Sequence, residues 1–277
     1  MPVTTPPLAI SSWSLHRALG LTYPNRPDRD VAAPAPEPTY GPGRITLLDM
    51  PQALRELGID RAELCSFHVP TRDRGYLAEL RAAFAASSVT LQTLLIEYGD
   101  ITDPATAERD LAWIEGWIEA AAELGAEKAR VIAGKQPASP ETLDRSAAGL
   151  NRLARRGAAL GVAIVTENWF KLLSTPADVR GLFERLDGGV GLNGDFGNWS
   201  GPGKYADLEA IFDLAVCCHA KGDFSGGSLD TGDYGRCLAA AAAAGFRGPY
   251  TLIYEGADPD ETAHLVAERD FIRAYFA

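Results

Sequence analysis

The sequence predicts an α/β protein, a single (β/α)8 barrel over residues 1–277 with a proline-rich insertion after the first strand. Three observations carry this. Eight short β-type runs alternate with helical patterns, which indicates βαβ units and a parallel sheet. The helices have readable starts and stops. Eight repeats in 277 residues give about 35 residues each, the size that a barrel of roughly 250 residues uses.

The strand candidates are residues 8–12, 61–67, 90–97, 128–133, 162–167, 190–195, 216–221 and 250–255. Helical patterns fill the gaps. One over 47–57 stops at Gly58, one over 106–124 stops at Gly125, and one over 234–244 stops at Gly245. Glycine ends a helix readily because it adopts the left-handed conformation without steric cost. Ser139-Pro140-Glu141 is a start signal, with a cap, a proline at the first position and an acid in the first turn. That helix runs to Leu160 before Gly161, Thr175-Pro176-Ala177-Asp178 repeats the signal, and 258–275 closes the chain. An open doubly wound sheet is the alternative, but it usually carries a glycine-rich phosphate loop after strand 1. Here strand 1 leads into SSWSLHRALG.

Residues 20–45 break the rhythm with six prolines: Pro24, Pro27, Pro34, Pro36, Pro38 and Pro42. A loop of this length is uncommon unless functional or disordered. It reads either as a surface insertion or as a lid, since it follows strand 1 at the end of a barrel where active sites form.

Composition narrows the partners. Apolar residues make up 46% and charged residues 23%, which excludes a wholly disordered chain. No apolar run is long enough to span a membrane. The opening MPVTTPPLAISSW has neither the basic start nor the apolar segment of a secretory signal, so a cytoplasmic location is expected. The net charge of −11 opposes binding to a phosphate backbone, so no nucleic-acid partner is expected. Cys65, Cys217, Cys218 and Cys237 form no CxxC pair and read as buried thiols in a reducing compartment.

Barrel enzymes place catalytic groups at the C-terminal ends of strands. Strand 5 ends in Glu167 and Asn168, and strand 6 in Asp195 with Asn198 just beyond. Strand 7 carries His219 and Lys221, and strand 8 ends in Glu255. Four consecutive strands thus aim Glu, Asp, His and Glu at one mouth. Three carboxylates sharing a site repel one another and raise each other's pKa unless a cation is present. An oxygen and nitrogen donor set without thiolate suits Mn²⁺, Mg²⁺, Co²⁺ or Zn²⁺.

The strand ends TEN, NGDFGN, CHAKG and YEG, in that order, resemble the xylose isomerase-like barrel superfamily of sugar phosphate isomerases and epimerases. The similarity runs from LAISSWSLHR to the final helix and is most specific over GGSLDTGDYGRCLAAAAAAGFRGPYTLIYEG. The resemblance implies a divalent metal, commonly Mn²⁺, held by Glu167, Asp195, His219 and Glu255. It implies an isomerase or epimerase acting on a small-molecule sugar or polyol through a metal-bound enediolate, with Glu167 and Glu255 moving the protons. The alternatives are a metal-dependent lyase or dehydratase on a keto-inositol or 3-keto-glycoside, and a non-catalytic sugar-binding barrel. Several relatives carry a histidine where this chain has Asn198. An AP endonuclease of the superfamily needs more histidines than His16, His68, His219 and His264. The resemblance also implies a homodimer or homotetramer.

Further candidates follow from position. His68 ends strand 2 and, with Lys221, is read as a catalytic group. His16, Glu97, Asn168, Asn198 and Trp199 are read as substrate contacts, with Tyr98 and Trp169 as further residues at strand ends.

Overall fold

The computed structural model describes residues 5–277, so residues 1–4 of the expected domain lie outside the described residues. Its eight strands are β1 Leu8–Ser11, β2 Arg61–Cys65, β3 Thr90–Leu95, β4 Lys128–Arg130, β5 Ala163–Glu167, β6 Val190–Asp195, β7 Ala215–Lys221 and β8 Tyr250–Ile253. All pair in parallel, each with the next, and β8 returns to β1 to close a barrel. The helices are α1 His16–Leu19, α2 Met50–Glu56, α3 Arg74–Ala86, α4 Ala107–Leu124, α5 Pro140–Leu160, α6 Pro176–Phe183, α7 Lys204–Glu209, α8 Thr231–Ala243 and α9 Glu261–Tyr275.

The expected strands are all present, but several stop early. The run read as 61–67 ends at Cys65, and Ser66–His68 forms a 3-10 turn. The run read as 128–133 ends at Arg130. Capping follows the sequence. Ser139 accepts a hydrogen bond from the Thr142 N–H in a capping box, and Gly161 ends α5 in the left-handed conformation. Thr175 caps α6 through the Asp178 N–H. Helix α3 was not expected. Its signal is nonetheless present: Asp73 caps the helix, and Leu77, Leu80 and Phe84 form its buried stripe.

Two β-bulges set the registers that matter for the mouth. Between β6 and β7, Leu192 pairs with Ala215 and Asn193 with Cys217, so Val216 is the extra residue. Beyond it Asp195 stands abreast of His219. Between β2 and β3, Ala62 pairs with Leu91 and Glu63 with Thr93, which makes Gln92 the extra residue. A bulge bends its strand and re-aims the side chains that follow.

The proline-rich segment is tied down. Thr22 and Glu37 exchange backbone hydrogen bonds, and the Tyr23 N–H donates to the Phe67 carbonyl. Asn25 is buried and accepts from Trp113 Nε1 of α4 while donating to Asp30 and to the Val31 carbonyl. Tyr40 packs on His16, ring centroids 4.2 Å apart, and edge-on against Trp13.

Glu268 of α9 is wholly buried, and its Oε1 accepts from the Gly222 N–H that follows β7. Its other oxygen has no hydrogen-bond partner. Burial raises the carboxyl pKa well above the ordinary value, only partly offset by the Gly222 N–H. The native state therefore favours the protonated form, and this contribution is lost as pH rises through the folded pKa. Glu268→Gln should keep the Gly222 bond and melt above wild type. The gap should widen as pH rises above the ordinary glutamate range in thermal melts, and a gap independent of pH would contradict the assignment.

Candidate metal and proton-transfer site

The strand ends of β5 to β8 open into one cleft. It is lined on one wall by Glu97, Arg130, Glu167 and Trp169, on the opposite wall by Trp13, Lys221 and Glu255, with Asp195, Asn198 and His219 between. The cluster begins with backbone register. Glu167 pairs with Asn193, and Asp195 with His219. One ligand atom each from Glu167, Asp195 and His219 lies within 4.8 Å of the others. All three side chains are buried.

Each member is held. Glu167 accepts from Asn198 Nδ2 at 2.8 Å and Asn193 Nδ2 at 3.2 Å, and Arg130 Nε lies 3.3 Å from its Oε2. Asp195 Oδ1 accepts from the backbone N–H groups of Gly197 and Asn198 at 2.6 and 2.8 Å. Asn168 clamps the Asp195 backbone, accepting from its N–H and donating to its carbonyl. His219 turns Nδ1 toward Glu167 and Asp195, at 3.6 and 3.5 Å, and Nε2 toward Glu63 at 2.8 Å.

Burial alone would lower the His219 pKa, but the carboxylates of Glu167 and Glu63 outweigh it and raise it well above the ordinary histidine value. Burial would likewise raise Glu167, yet the charges of His219 and Arg130 hold it down at about 2. Glu63 is also lowered against its burial, mainly by His219. In Lys221, burial is outweighed by Asp195 and Glu255, and its pKa rises.

The donor set fits a divalent metal. Two carboxylates and an imidazole nitrogen converge from three adjacent strands, and the cations beside them are Arg130, on Glu167, and the proton that His219 holds. Hard oxygen and nitrogen donors suit Mn²⁺, Mg²⁺, Co²⁺ or Zn²⁺. Cys65 lines the cleft, but its sulfur is not among the three converging donors, and burial raises its pKa well above the ordinary value. Glu255 faces the same cleft from β8. Its Oε1 accepts from Trp13 Nε1 at 2.9 Å and its Oε2 pairs with Lys221 Nζ at 2.5 Å, so the carboxylate is turned from the three-residue cluster toward the rim.

The remaining sequence candidates divide. Glu97, Asn198 and Lys221 line the cleft with the cluster. His68, His16, Asn168 and Trp199 are not among its lining residues. His68 is buried in the turn after β2 with Nδ1 against Ser12 Oγ, and burial holds its pKa at about 3. His16 sits behind Trp13 with Nδ1 on the Trp13 carbonyl. Trp199 donates to the Leu173 carbonyl. Sequence reasoning missed Glu63, Arg130 and Trp13. For Glu63 and Arg130 the signal was a charged residue inside a buried parallel strand, where the run is otherwise apolar.

A model of the xylose isomerase-like TIM barrel family matches residues 51–275. The chain belongs to that family. Several solved structures share the family fold. An L-ribulose 3-epimerase is 17% identical with a TM-score of 0.70, covering 97% of this chain and 94% of its own. The 3-keto-D-glucoside 4-epimerase of E. coli is 20% identical with a TM-score of 0.65, covering 83% and 94%. A xylose isomerase-like TIM barrel protein from Mycobacterium smegmatis, in complex with magnesium, is 18% identical with a TM-score of 0.65, covering 99% and 98%. At these identities the likeness is one of fold. No curated protein matches the chain in sequence. No helix among the described residues is long and apolar enough to cross a membrane.

A ligating imidazole must be neutral at the ligating nitrogen. Because His219 holds its proton above the ordinary histidine range, Mn²⁺ binding near pH 7 should release about one proton and tighten as pH rises toward the His219 pKa. Calorimetry in buffers of different ionisation enthalpy measures this. His219→Gln should bind more weakly and release none, and binding by wild type without proton release would contradict the assignment.

Proposed function

We propose that this chain is a divalent-metal-dependent isomerase or epimerase of a sugar or polyol, moving a proton at a carbon next to a carbonyl. One observation carries the reading. Two glutamates, Glu167 and Glu255, face one cleft from β5 and β8, with the Asp195–His219 donor pair between them. Glu167, Asp195 and His219 would hold the metal, with Mn²⁺ our choice, and Glu255 would join them by turning its carboxylate from Lys221. When bound, the metal would polarise the carbonyl and adjacent hydroxyl oxygens of the substrate and acidify the C–H between them.

The chain's own residues do the rest. Glu167 is ionised and fixed by Asn193, Asn198 and Arg130, so its carboxylate is aimed before substrate arrives. Glu255 shares a short ion pair with Lys221, which gives that wall a proton donor and an acceptor within one contact. Removal on one wall and return on the other inverts a carbon, whereas return to the neighbouring carbon isomerises the sugar. Trp13, Phe67, Trp169 and Ile253 give the cleft apolar surface for sugar C–H faces. Residues 20–45 act on this site through Tyr40, which braces Trp13 and so the Glu255 carboxylate.

The test is exchange of substrate protons. Enzyme loaded with Mn²⁺ and incubated in D₂O with L-ribulose, D-allulose or a 3-keto-glucoside should return sugar carrying solvent deuterium. Glu167→Gln and Glu255→Gln should fold and lose at least about 10²-fold in rate. Rates like wild type in both would end the proposal. Loss of water or of an aglycone without deuterium in recovered sugar would move the chain to the lyases.

A further inference from the structure

The interior of the barrel, beneath the cleft, holds a carboxylate that packing does not call for. Glu63 of β2 lies between Ala62 and Leu64 and is 0% exposed. A buried charge is costly unless it is paired and its remaining lone pairs are satisfied. Glu63 is satisfied in both respects. Its Oε2 meets His219 Nε2 at 2.8 Å, and its Oε1 accepts from Gln92 Nε2 at 3.0 Å. β2 and β7 are not neighbours in the sheet, so this contact crosses the barrel. Both bulges serve it: the extra residue in β3 is Gln92 itself, and the extra residue in β7 sets His219 abreast of Asp195.

The geometry points to Glu63 as a positioning residue that makes Nδ1 of His219 the metal-ligating atom. This rests on the metal reading given above. An ionised carboxylate only accepts hydrogen bonds, so the nitrogen facing it must carry the hydrogen. A neutral imidazole has one donor and one acceptor nitrogen, and fixing the hydrogen on Nε2 leaves the lone pair on Nδ1. Nδ1 is the nitrogen that faces Glu167 and Asp195. The hydrogen bond to Glu63 also locks the ring plane and raises the basicity of the ligating nitrogen. Gln92 does for Glu63 what Glu63 does for His219, holding the carboxylate against rotation.

The experiment is a Mn²⁺ titration of metal-stripped protein, with free Mn²⁺ read by electron paramagnetic resonance. Glu63→Gln should bind Mn²⁺ about 10- to 100-fold more weakly than wild type, the range found when the outer partner of a ligating histidine is removed. Its metal-free melting curve should stay cooperative. Glu63→Asp, which withdraws the carboxylate, should weaken binding in the same direction. Affinities within about threefold of wild type in both variants would make Glu63 a structural ion-pair partner and overturn the proposal. A second measurement needs no variant. Long-range ¹H–¹⁵N spectra of the Zn²⁺-loaded wild type should show His219 protonated at Nε2 and metal-bound at Nδ1, and the reverse assignment would also overturn it. If wild type takes up no Mn²⁺, the metal reading fails and this inference fails with it. If wild type binds and the variants match it, only the role of Glu63 is lost.

Discussion

Crowding of negative charge at the barrel mouth governs the arrangement of everything near it. Glu97, Glu167, Asp195 and Glu255 line one cleft against two permanent cations, Arg130 and Lys221. Glu63 adds a further carboxylate just beneath. Carboxylates at such proximity stay ionised together only if positive charge is supplied. The chain answers in three places: Arg130 between Glu97 and Glu167, Lys221 against Glu255, and a proton on His219. The first two are permanent. The third is exchangeable, and it sits where the oxygen donors converge, so a dication can take its place there.

The fold was largely legible in the sequence because its signals are local. Strand runs, helix caps and glycine stops each depend on a few adjacent residues, and Ser139, Thr175, Gly125 and Gly161 act in the structure as their positions suggested. Strand ends were less legible. Hydrophobic runs such as RAELCSF continue past Cys65, but hydrogen bonding stops there because the chain turns into the 3-10 segment Ser66–His68. Helix α3 escaped notice although Asp73 and the Leu77, Leu80, Phe84 stripe announce it.

The site was legible where chemistry follows strand order, and obscure where it depends on what lies across the barrel. Glu167, Asp195 and His219 could be read from consecutive strand ends, and they converge. Glu63 and Arg130 could not be placed that way, since their partners come from other strands, and for Glu63 the registers involve bulges at Gln92 and Val216 that composition does not mark. His16 and His68 illustrate the opposite case. Both follow strands, but one folds back on the Trp13 carbonyl and the other on Ser12, so each stands behind a ring that lines the cleft, Trp13 or Phe67, and not among the lining residues themselves.

The bridge from Glu63 to His219 joins an early strand to a late one. Neither half of the chain holds both ends of this contact. β2 supplies Glu63 and β7 supplies His219, so the two meet only when the ring of strands is shut. Until β7 is in place, Glu63 has Gln92 alone against it, so this interior carboxylate gains its histidine partner only as the last strands close the ring.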